Sequence, residues 1–228
     1  MKRSLFLMCS FVVALLSPRS PLWSQDILTA DKFLATVGER YGSITDYSAK
    51  IAITTSKTKM FGTIIYKNSG LLRIDFTSPE EQVIAYNGDT LTVYLPEYRA
   101  VLNQTTGASK KAAGANIASA EGLNLLRRNY AAAYAVGPDP QPLEAGSSEL
   151  VITLVLSRRS LSEGFRELRL SIDPQTDLIR RIEGKTIADE TIQFDFTDIK
   201  LNQGIPEARF AYDSPASANL YNNFLFKN

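Results

Sequence analysis

The sequence contains no histidine and a single cysteine, Cys9. Without histidine there is no imidazole to activate a serine or cysteine nucleophile, and the commonest zinc ligand is missing. Glycine-rich phosphate loops and the GxGxxG pattern of dinucleotide-binding folds are absent as well. A carboxylate pair could still catalyse hydrolysis, and Asp75 and Asp195 are candidates within predicted strands. Because acids in such positions are usually solvated or ion-paired, we expect no enzymatic activity, no metal site and no cofactor.

An excess of charge of either sign is also missing, since the formal net charge is +1. A chain with this balance has no basic field that would attract nucleic acid, so we expect no nucleic-acid partner. Four basic pairs are scattered along the sequence, at Lys110-Lys111, Arg127-Arg128, Arg158-Arg159 and Arg180-Arg181. We expect them to form solvated surface, and a partner-docking patch is the alternative.

One apolar run near the start of the chain is about a dozen residues long, which is too short to span a bilayer comfortably. It follows Lys2 and Arg3, and a Ser-Pro break ends it. This pattern predicts a secretory signal peptide at residues 1–25, with cleavage near Gln25. A permanent N-terminal anchor is the alternative. Cleavage would remove Cys9, so the exported chain would fold without a disulfide.

The remaining residues, 26–228, are expected to form one domain. Residues 26–41 place Phe33, Val37 and other apolar side chains on one face at helical spacing, which predicts a helix. Six strands are predicted after it, because apolar and polar residues alternate between turn signals such as Asn87-Gly88. These strands span residues 46–55, 61–67, 71–76, 81–86, 90–95 and 98–104.

The second half begins with a stretch that is poor in large apolar side chains, residues 104–120, which predicts a loop. A weak, alanine-rich helix is predicted over residues 117–135. Further strands are predicted at residues 149–159, 165–173, 178–185 and 191–201. The aromatic tail, 219–228, is expected to pack back on the fold or to add a strand. The pattern predicts an α+β, mainly β fold: one strongly curled antiparallel sheet with helices on one face.

The order and spacing of five segments in the first strand block match a known pattern. The segments are FGTIIYK (61–67), LRIDF (72–76), PEEQVI (79–84), NGDTL (87–91) and YLP (94–96). In this order they resemble the LolA family, the periplasmic carriers of outer-membrane lipoproteins. Looser matches at residues 168–173, 179–184 and 208–212 extend the resemblance over nearly all of the chain after residue 25.

The resemblance implies an incomplete, strongly curled antiparallel β-barrel whose open side is covered by helices. An apolar cavity between the barrel and the helices would receive the acyl chains of lipoproteins. By position, Leu72, Ile74 and Phe76 are expected to face this cavity. Weaker candidates from the neighbouring strands are Val83, Ala85, Leu91 and Val93.

The resemblance also implies a lid over the cavity. Its candidate residues are Ile117, Leu123, Leu126 and Tyr130. Proteobacterial carriers place Arg-Pro in the turn after the second strand, where the arginine bonds to the lid. Here Asn68 and Ser69 occupy that turn, and an asparagine amide lacks the donor fork of a guanidinium. Arg73 lies nearby, but strand alternation directs it away from Leu72 and Ile74, so we do not assign it the role of latch.

The function implied by the resemblance is that of a periplasmic chaperone that carries lipoproteins from the inner to the outer membrane. Its expected partners are lipidated proteins, an inner-membrane lipoprotein-releasing transporter and an outer-membrane acceptor. We expect a monomer. The alternative is a regulatory binding domain of the same fold that senses lipid or envelope proteins.

Overall fold

The computed structural model describes residues 28–105 and 118–224, and their main feature is one large curled sheet with two helices. The helices are α1 (Ala30–Gly42) and α2 (Ala120–Asn129). The strands of the first half are β1 (Asp46–Thr54), β2 (Lys59–Lys67), β3 (Leu71–Ser78), β4 (Glu80–Tyr86), β5 (Thr90–Leu95) and β6 (Ala100–Thr105). Those of the second half are β7 (Tyr130–Tyr134), β8 (Gln141–Pro142), β9 (Leu150–Arg158), β10 (Phe165–Ile172), β11 (Ile179–Thr186), β12 (Thr191–Leu201) and β13 (Asn219–Asn222). Two short 3₁₀ turns lie at Pro96–Tyr98 and Glu207–Phe210.

The order of strands across the sheet is β13-β6-β5-β4-β3-β2-β1-β12-β11-β10-β9-β7, and β8 pairs with β9 beside this path. Neighbours are antiparallel except β13, which runs parallel to β6. Within the described residues no ladder joins β13 to β7, so the sheet is curled and open rather than a closed barrel. The mainly β architecture predicted from the sequence is confirmed.

Helix α1 begins four residues later than predicted. The Thr29 side chain accepts a hydrogen bond from the Lys32 backbone amide at 3.3 Å, and this N-cap sets the start of the helix. Phe33, Val37 and Tyr41 are buried against the sheet side, as the helical spacing indicated.

Helix α2 is shorter than the predicted helix over residues 117–135. It ends at Asn129, and the alanine-rich segment that follows is β7, which pairs with β9 from Tyr130–Arg158 to Tyr134–Leu154. Alanine has a high helix propensity, but the ladder with β9 outweighs this local preference. Within the part of the chain that the structure describes, neither helix has both the length and the apolar character needed to cross a membrane.

The main apolar core lies on the inner face of the sheet, under α1 and α2. Residues 202–222, which we call the C-terminal strap, cover the opposite, outer face of the first strands. Phe210 of the strap packs with Ile65, and Tyr212 packs on Tyr94. The strap ends in β13, so the prediction that the tail adds a strand is confirmed for these residues.

Directional hydrogen bonds fasten the C-terminal strap along its length. The buried Asp46 carboxylate accepts bonds from the backbone amides of Gln203, Gly204 and Ile205 at 2.7, 3.0 and 3.3 Å. Lys67 Nζ donates to the Ile205 carbonyl at 2.8 Å. These contacts fix the strap where it leaves β12.

Arg73 fastens the middle of the strap. Its Nη1 donates to the Ala211 carbonyl at 2.6 Å, and its guanidinium lies 5.7 Å from the centre of the Tyr212 ring. The same guanidinium bonds to Asp75 on its own strand. Arg73 therefore points to the outer face, in agreement with the direction inferred from strand alternation.

Candidate functional site

The inner face of β3 carries the residues that the sequence assigned to an acyl-chain cavity. Leu72, Ile74 and Phe76 are all buried, and they belong to the same apolar cluster as Leu123 and Leu126 of α2. Their alternation with outward-facing Arg73 and Asp75 is what places the three side chains together under the helices.

The neighbouring strands extend this apolar surface through pairs that the sequence only partly identified. Leu72 lies opposite Tyr86, and Ile74 lies opposite Ile84. On β5, Leu91 lies opposite Tyr86 and Val93 lies opposite Ile84. Leu91 and Val93 therefore share the face of Leu72 and Ile74. Ile84 and Tyr86 were not among the predicted site residues. The sequence could have identified them, because β3 alternates strongly and a hairpin register pairs each inward residue of β3 with an inward residue of β4.

Val83 and Ala85 do not share this face, and their assignment to the cavity wall is wrong. They pair with Asp75 and Arg73, whose side chains point outward. They pack instead in a separate cluster beneath the C-terminal strap, together with Tyr94 and Val101. The physical reason is that β4 is apolar on both faces, since the strap covers its outer side, so alternation along β4 alone does not identify the inner face.

The predicted lid residues fall into different elements. Leu123 and Leu126 are buried on α2, as expected, whereas Tyr130 begins β7 and its hydroxyl donates to the Phe165 carbonyl at 3.0 Å. Ile117 lies outside the described residues. Residues 118–129, which we call the helical cover, therefore meet the inner face mainly through two leucines.

Directional bonds add to the apolar contacts of the helical cover, and at its end the Asn129 carbonyl accepts a hydrogen bond from the Arg159 backbone amide at 2.8 Å. The Tyr47 hydroxyl donates to the Ala118 carbonyl at 3.3 Å, at the start of the cover. Near its end, Arg127 Nη2 bonds to Asp31 on α1 at 3.2 Å, in a largely exposed position. Exposed ion pairs of this kind contribute little to stability.

The Asn68-Ser69 turn is the candidate latch region. Both residues are exposed, and the Asn68 backbone amide donates to the carbonyl of Thr45, just before β1, at 2.9 Å. Among the described residues, neither side chain has a hydrogen bond to α1 or α2.

Three tyrosines fill the space between α1 and the sheet. The Tyr47 ring lies 6.4 Å from that of Tyr41 and 5.2 Å from that of Tyr66. Burial raises the pKa of Tyr41 to about 12 and the pKa of Tyr47 well above its usual value, so both phenols stay neutral. A cavity of about 10 Å³ beside Tyr41 and Tyr47 has room for about one water molecule. In this conformation an acyl chain can enter here only if side chains or the helical cover move.

The two candidate catalytic acids are not brought together. Asp75 is paired with Arg73 on β3, while Asp195 on β12 is bonded to Arg181 Nε at 2.6 Å. Strands β2 and β1 lie between β3 and β12, so these carboxylates cannot act on one bond. Across residues 28–105 and 118–224, no group of three or more acidic, histidine or cysteine side chains is arranged to hold a metal ion.

Comparison with known proteins gives a consistent result. A family model described as "Outer membrane lipoprotein carrier protein LolA" matches residues 52–213. An outer-membrane lipoprotein carrier protein from Dechloromonas aromatica (strain RCB) is 24% identical over 159 residues, which is 70% of each chain.

Solved structures with a similar fold have low sequence identity. A conserved uncharacterized protein from Thermus thermophilus aligns with a TM-score of 0.55 and 14% identity, over 85% of this chain and 98% of that chain. A chain of the Pseudomonas aeruginosa MucA/MucB complex aligns with a TM-score of 0.50 and 13% identity, over 83% of this chain and 62% of that chain. At these identities the two likenesses establish the fold alone.

Proposed function

The chain belongs to the LolA family, and from this premise we propose that it is a periplasmic, non-enzymatic chaperone for lipoproteins. It binds their acyl chains on the inner face of its sheet and carries them from the inner to the outer membrane. An inner-membrane transporter would load it, and an outer-membrane acceptor would unload it. The inner face, which combines Leu72, Ile74 and Phe76 under a cover of leucines, is the observation that carries this proposal.

The chemistry of the inner face supports acyl-chain binding. Each methylene group removed from water contributes about 0.8 kcal/mol, so a soluble carrier needs an extended apolar surface rather than catalytic groups. Leu123 and Leu126 contact that surface through non-directional packing. Acyl methylenes can replace such contacts without leaving buried donors or acceptors unpaired.

The helical cover supports a route of entry. Elements that open have few directional bonds, and those of the cover include an exposed Arg127–Asp31 pair, a 3.3 Å bond from Tyr47 and a bond from the Arg159 amide to the Asn129 carbonyl. We expect acyl chains to displace the leucines of α2 from the inner face. The strap on the outer face would remain in place.

A photo-crosslinking experiment tests this proposal by comparing the two faces of the sheet. Phe76 and Val83 are similarly buried, with 5% and 6% of their surface exposed, but they face opposite sides. Each is replaced in turn by p-benzoyl-phenylalanine, and the purified proteins are irradiated with a triacylated lipopeptide. We expect adducts from position 76 and none from position 83.

The control is the same peptide without acyl chains, and it separates the two candidate functions. Adducts that require acylation support a carrier. Equal adducts from both positions, or none from position 76, would contradict inner-face binding. Adducts with the unacylated peptide would favour the alternative, a regulatory domain that recognises envelope proteins.

A further inference from the structure

Three hairpin turns lie side by side at one end of the sheet. Strands β2, β1, β12, β11, β10 and β9 are consecutive, and the turns β1–β2, β11–β12 and β9–β10 leave the sheet at the same end. The pair Phe165–Thr186 places the β9–β10 turn beside the β11–β12 turn. We call residues 55–59, 158–166 and 185–190 the hairpin tips.

Two of these turns present a large apolar side chain to water. Leu161 is 83% exposed, and the Ser160 and Ser162 hydroxyls on either side of it are joined by a 2.9 Å hydrogen bond. Ile187 is 63% exposed, and its carbonyl accepts a hydrogen bond from Arg166 Nη2 at 3.4 Å. These bonds shape the backbone of both turns, so the two side chains stand at the end of the sheet.

The β1–β2 hairpin adds a third apolar side chain. Phe61 is 42% exposed, and Lys59 Nζ lies 5.3 Å from the centre of its ring. Single exposed apolar residues are ordinary on a protein surface, whereas a group of them on adjacent turns indicates an interaction surface.

The hairpin tips are cationic, although the chain as a whole is nearly balanced. They contain six basic side chains and three acidic ones. In the other residues that the structure describes, acids outnumber bases. Arg166 and Lys185 share the Asp189 carboxylate, at 2.9 and 3.2 Å, so this acid balances only one of the two. Positive charge therefore remains beside the exposed apolar side chains.

The rest of this end of the sheet has the opposite charge. The β3–β4 and β5–β6 connections carry Glu80, Glu81 and Glu97, and all three are exposed. Tyr98 is also exposed, but it lies among these acids. The combination of apolar and cationic side chains is thus confined to the three hairpins.

We propose that the hairpin tips dock the protein on an anionic phospholipid surface. Leu161, Ile187 and Phe61 enter the interfacial layer of the bilayer, and the lysines and arginines of the tips face the lipid phosphates. A bilayer fits this surface because it accepts side chains that protrude from separate turns without needing a complementary shape. The surface goes beyond the proposed lipoprotein site, which lies on the inner face of β3.

Sedimentation with lipid vesicles tests the docking. The exported chain, residues 26–228, is used, because the apolar run near the start of the sequence would itself bind lipid. We expect it to bind vesicles of equimolar phosphatidylglycerol and phosphatidylcholine at least about ten-fold more tightly than vesicles of phosphatidylcholine alone. Equal binding to both vesicles would overturn the proposal. Binding to neither would also overturn it and would leave an acidic protein surface as the partner.

A matched pair of variants locates the contact. Val136 is 82% exposed, as Leu161 is, but it follows β7 at the opposite end of the sheet. Leu161→Glu should weaken binding to the anionic vesicles by about ten-fold, and Val136→Glu, with the same change in net charge, by less than about two-fold. Equal losses in the two variants would contradict docking through the hairpin tips.

A second pair tests the cations. Lys57→Gln removes one exposed charge from the β1–β2 turn and should weaken binding to the anionic vesicles by about five-fold. Lys200→Gln removes an exposed charge near the opposite end of β12 and should change the affinity by less than about two-fold. A larger loss in Lys200→Gln than in Lys57→Gln would place the contact elsewhere.

A fluorescent label separates docking from lipoprotein binding. Residues 26–228 contain no cysteine, so Leu161→Cys and Val136→Cys each accept a single NBD group. We expect NBD emission to rise about two-fold with anionic vesicles at position 161 and to stay constant at position 136. A rise at position 161 without lipopeptide crosslinks from position 76 would support docking and contradict the carrier function. Crosslinks from position 76 with constant emission at position 161 would overturn docking alone.

Discussion

The two faces of the first strands are covered by segments that are held in different ways. The helical cover on the inner face is held by the packing of Leu123 and Leu126, by an exposed ion pair, and by hydrogen bonds to the carbonyls of Ala118 and Asn129. The C-terminal strap on the outer face is fixed by the buried Asp46 carboxylate and by Arg73. Apolar packing can be exchanged for other apolar contacts, whereas directional bonds to buried groups cannot be broken without a large cost.

We expect the cover on the inner face to open and the strap on the outer face to stay in place. Opening the inner face separates apolar side chains such as Leu72 and Phe76 from α2 and breaks the bond from Tyr47 to the Ala118 carbonyl. Opening the outer face would break the three hydrogen bonds from backbone amides to Asp46. We therefore expect motion on the inner side of the sheet.

Asp46→Ala should have the largest effect on this comparison. Asp46 is 2% exposed and is the acceptor for three backbone amides of the strap, so its removal should lower the free energy of unfolding by about 3–5 kcal/mol. Urea unfolding measures this loss. Asp46→Asn retains one acceptor oxygen and should lie between wild type and alanine. A loss below about 1 kcal/mol would mean that the strap is not fixed by this carboxylate.

High pH should lower the free energy of unfolding, because it favours ionisation of Tyr41. Burial raises the pKa of Tyr41 to about 12, so the folded state holds a proton that the unfolded state loses near its ordinary value of 10.0. The stabilisation is complete below pH 10 and is lost as pH rises toward 12, by about 3 kcal/mol in total. Unfolding measured at several pH values between 9 and 12 gives this dependence.

The control for the pH dependence is Tyr41→Phe. This variant removes the acceptor for the Ile179 amide, so it should be less stable at neutral pH. Its stability should then fall less steeply above pH 10 than that of wild type. Parallel curves would assign the alkaline loss to other tyrosines, such as Tyr212, whose pKa burial also raises to about 12.

Arg73→Met should loosen the middle of the strap with a moderate effect. The variant loses the bond to the Ala211 carbonyl and the contact with the Tyr212 ring, so we expect a loss of about 1–2 kcal/mol. Limited proteolysis should show faster cleavage within residues 209–222. Cleavage confined to the helical cover instead would reverse the assignment of the permanent and the movable side.

Arg127→Met should have the smallest effect. Its ion pair with Asp31 is largely exposed, and its buried Nε has no hydrogen-bond partner within residues 28–105 and 118–224, so removal should change stability by less than about 1 kcal/mol. Equilibrium unfolding measures stability, and hydrogen exchange of α2 amides reports local opening. A loss as large as that of Arg73→Met would indicate that both covers are fixed by directional bonds.

The sequence was informative where the two faces of a strand differ in chemistry. On β3, apolar residues alternate with Arg73 and Asp75, and the apolar residues lie together on the face that α2 covers. On β4, Val83 and Ala85 are as apolar as Ile84, because the strap buries the outer side as well. Local pattern cannot distinguish two buried faces, so the assignment there required the register with β3.

Features that depend on distant contacts could not be predicted from the sequence. The alanine-rich β7 has the composition of a helix and becomes a strand only through its ladder with β9. The bonds from Arg40 to the Thr176 carbonyl and from the Ile179 amide to the Tyr41 hydroxyl join α1 to residues far away along the chain. Neither signal is present in the residues of the segment itself.

The last strand of the strap covers one of the two edges of the sheet. A sheet edge offers unpaired backbone donors and acceptors that can recruit a second chain. β13 lies along the edge of β6 through the four pairs from Asn219–Ala100 to Asn222–Asn103, so most of the six-residue edge of β6 is occupied by its own chain. The outermost strand at this edge is then β13, whose four residues are too few to template the growth of a fibril. For a carrier that opens its apolar interior, as proposed above, this paired edge would keep the backbone from polymerising.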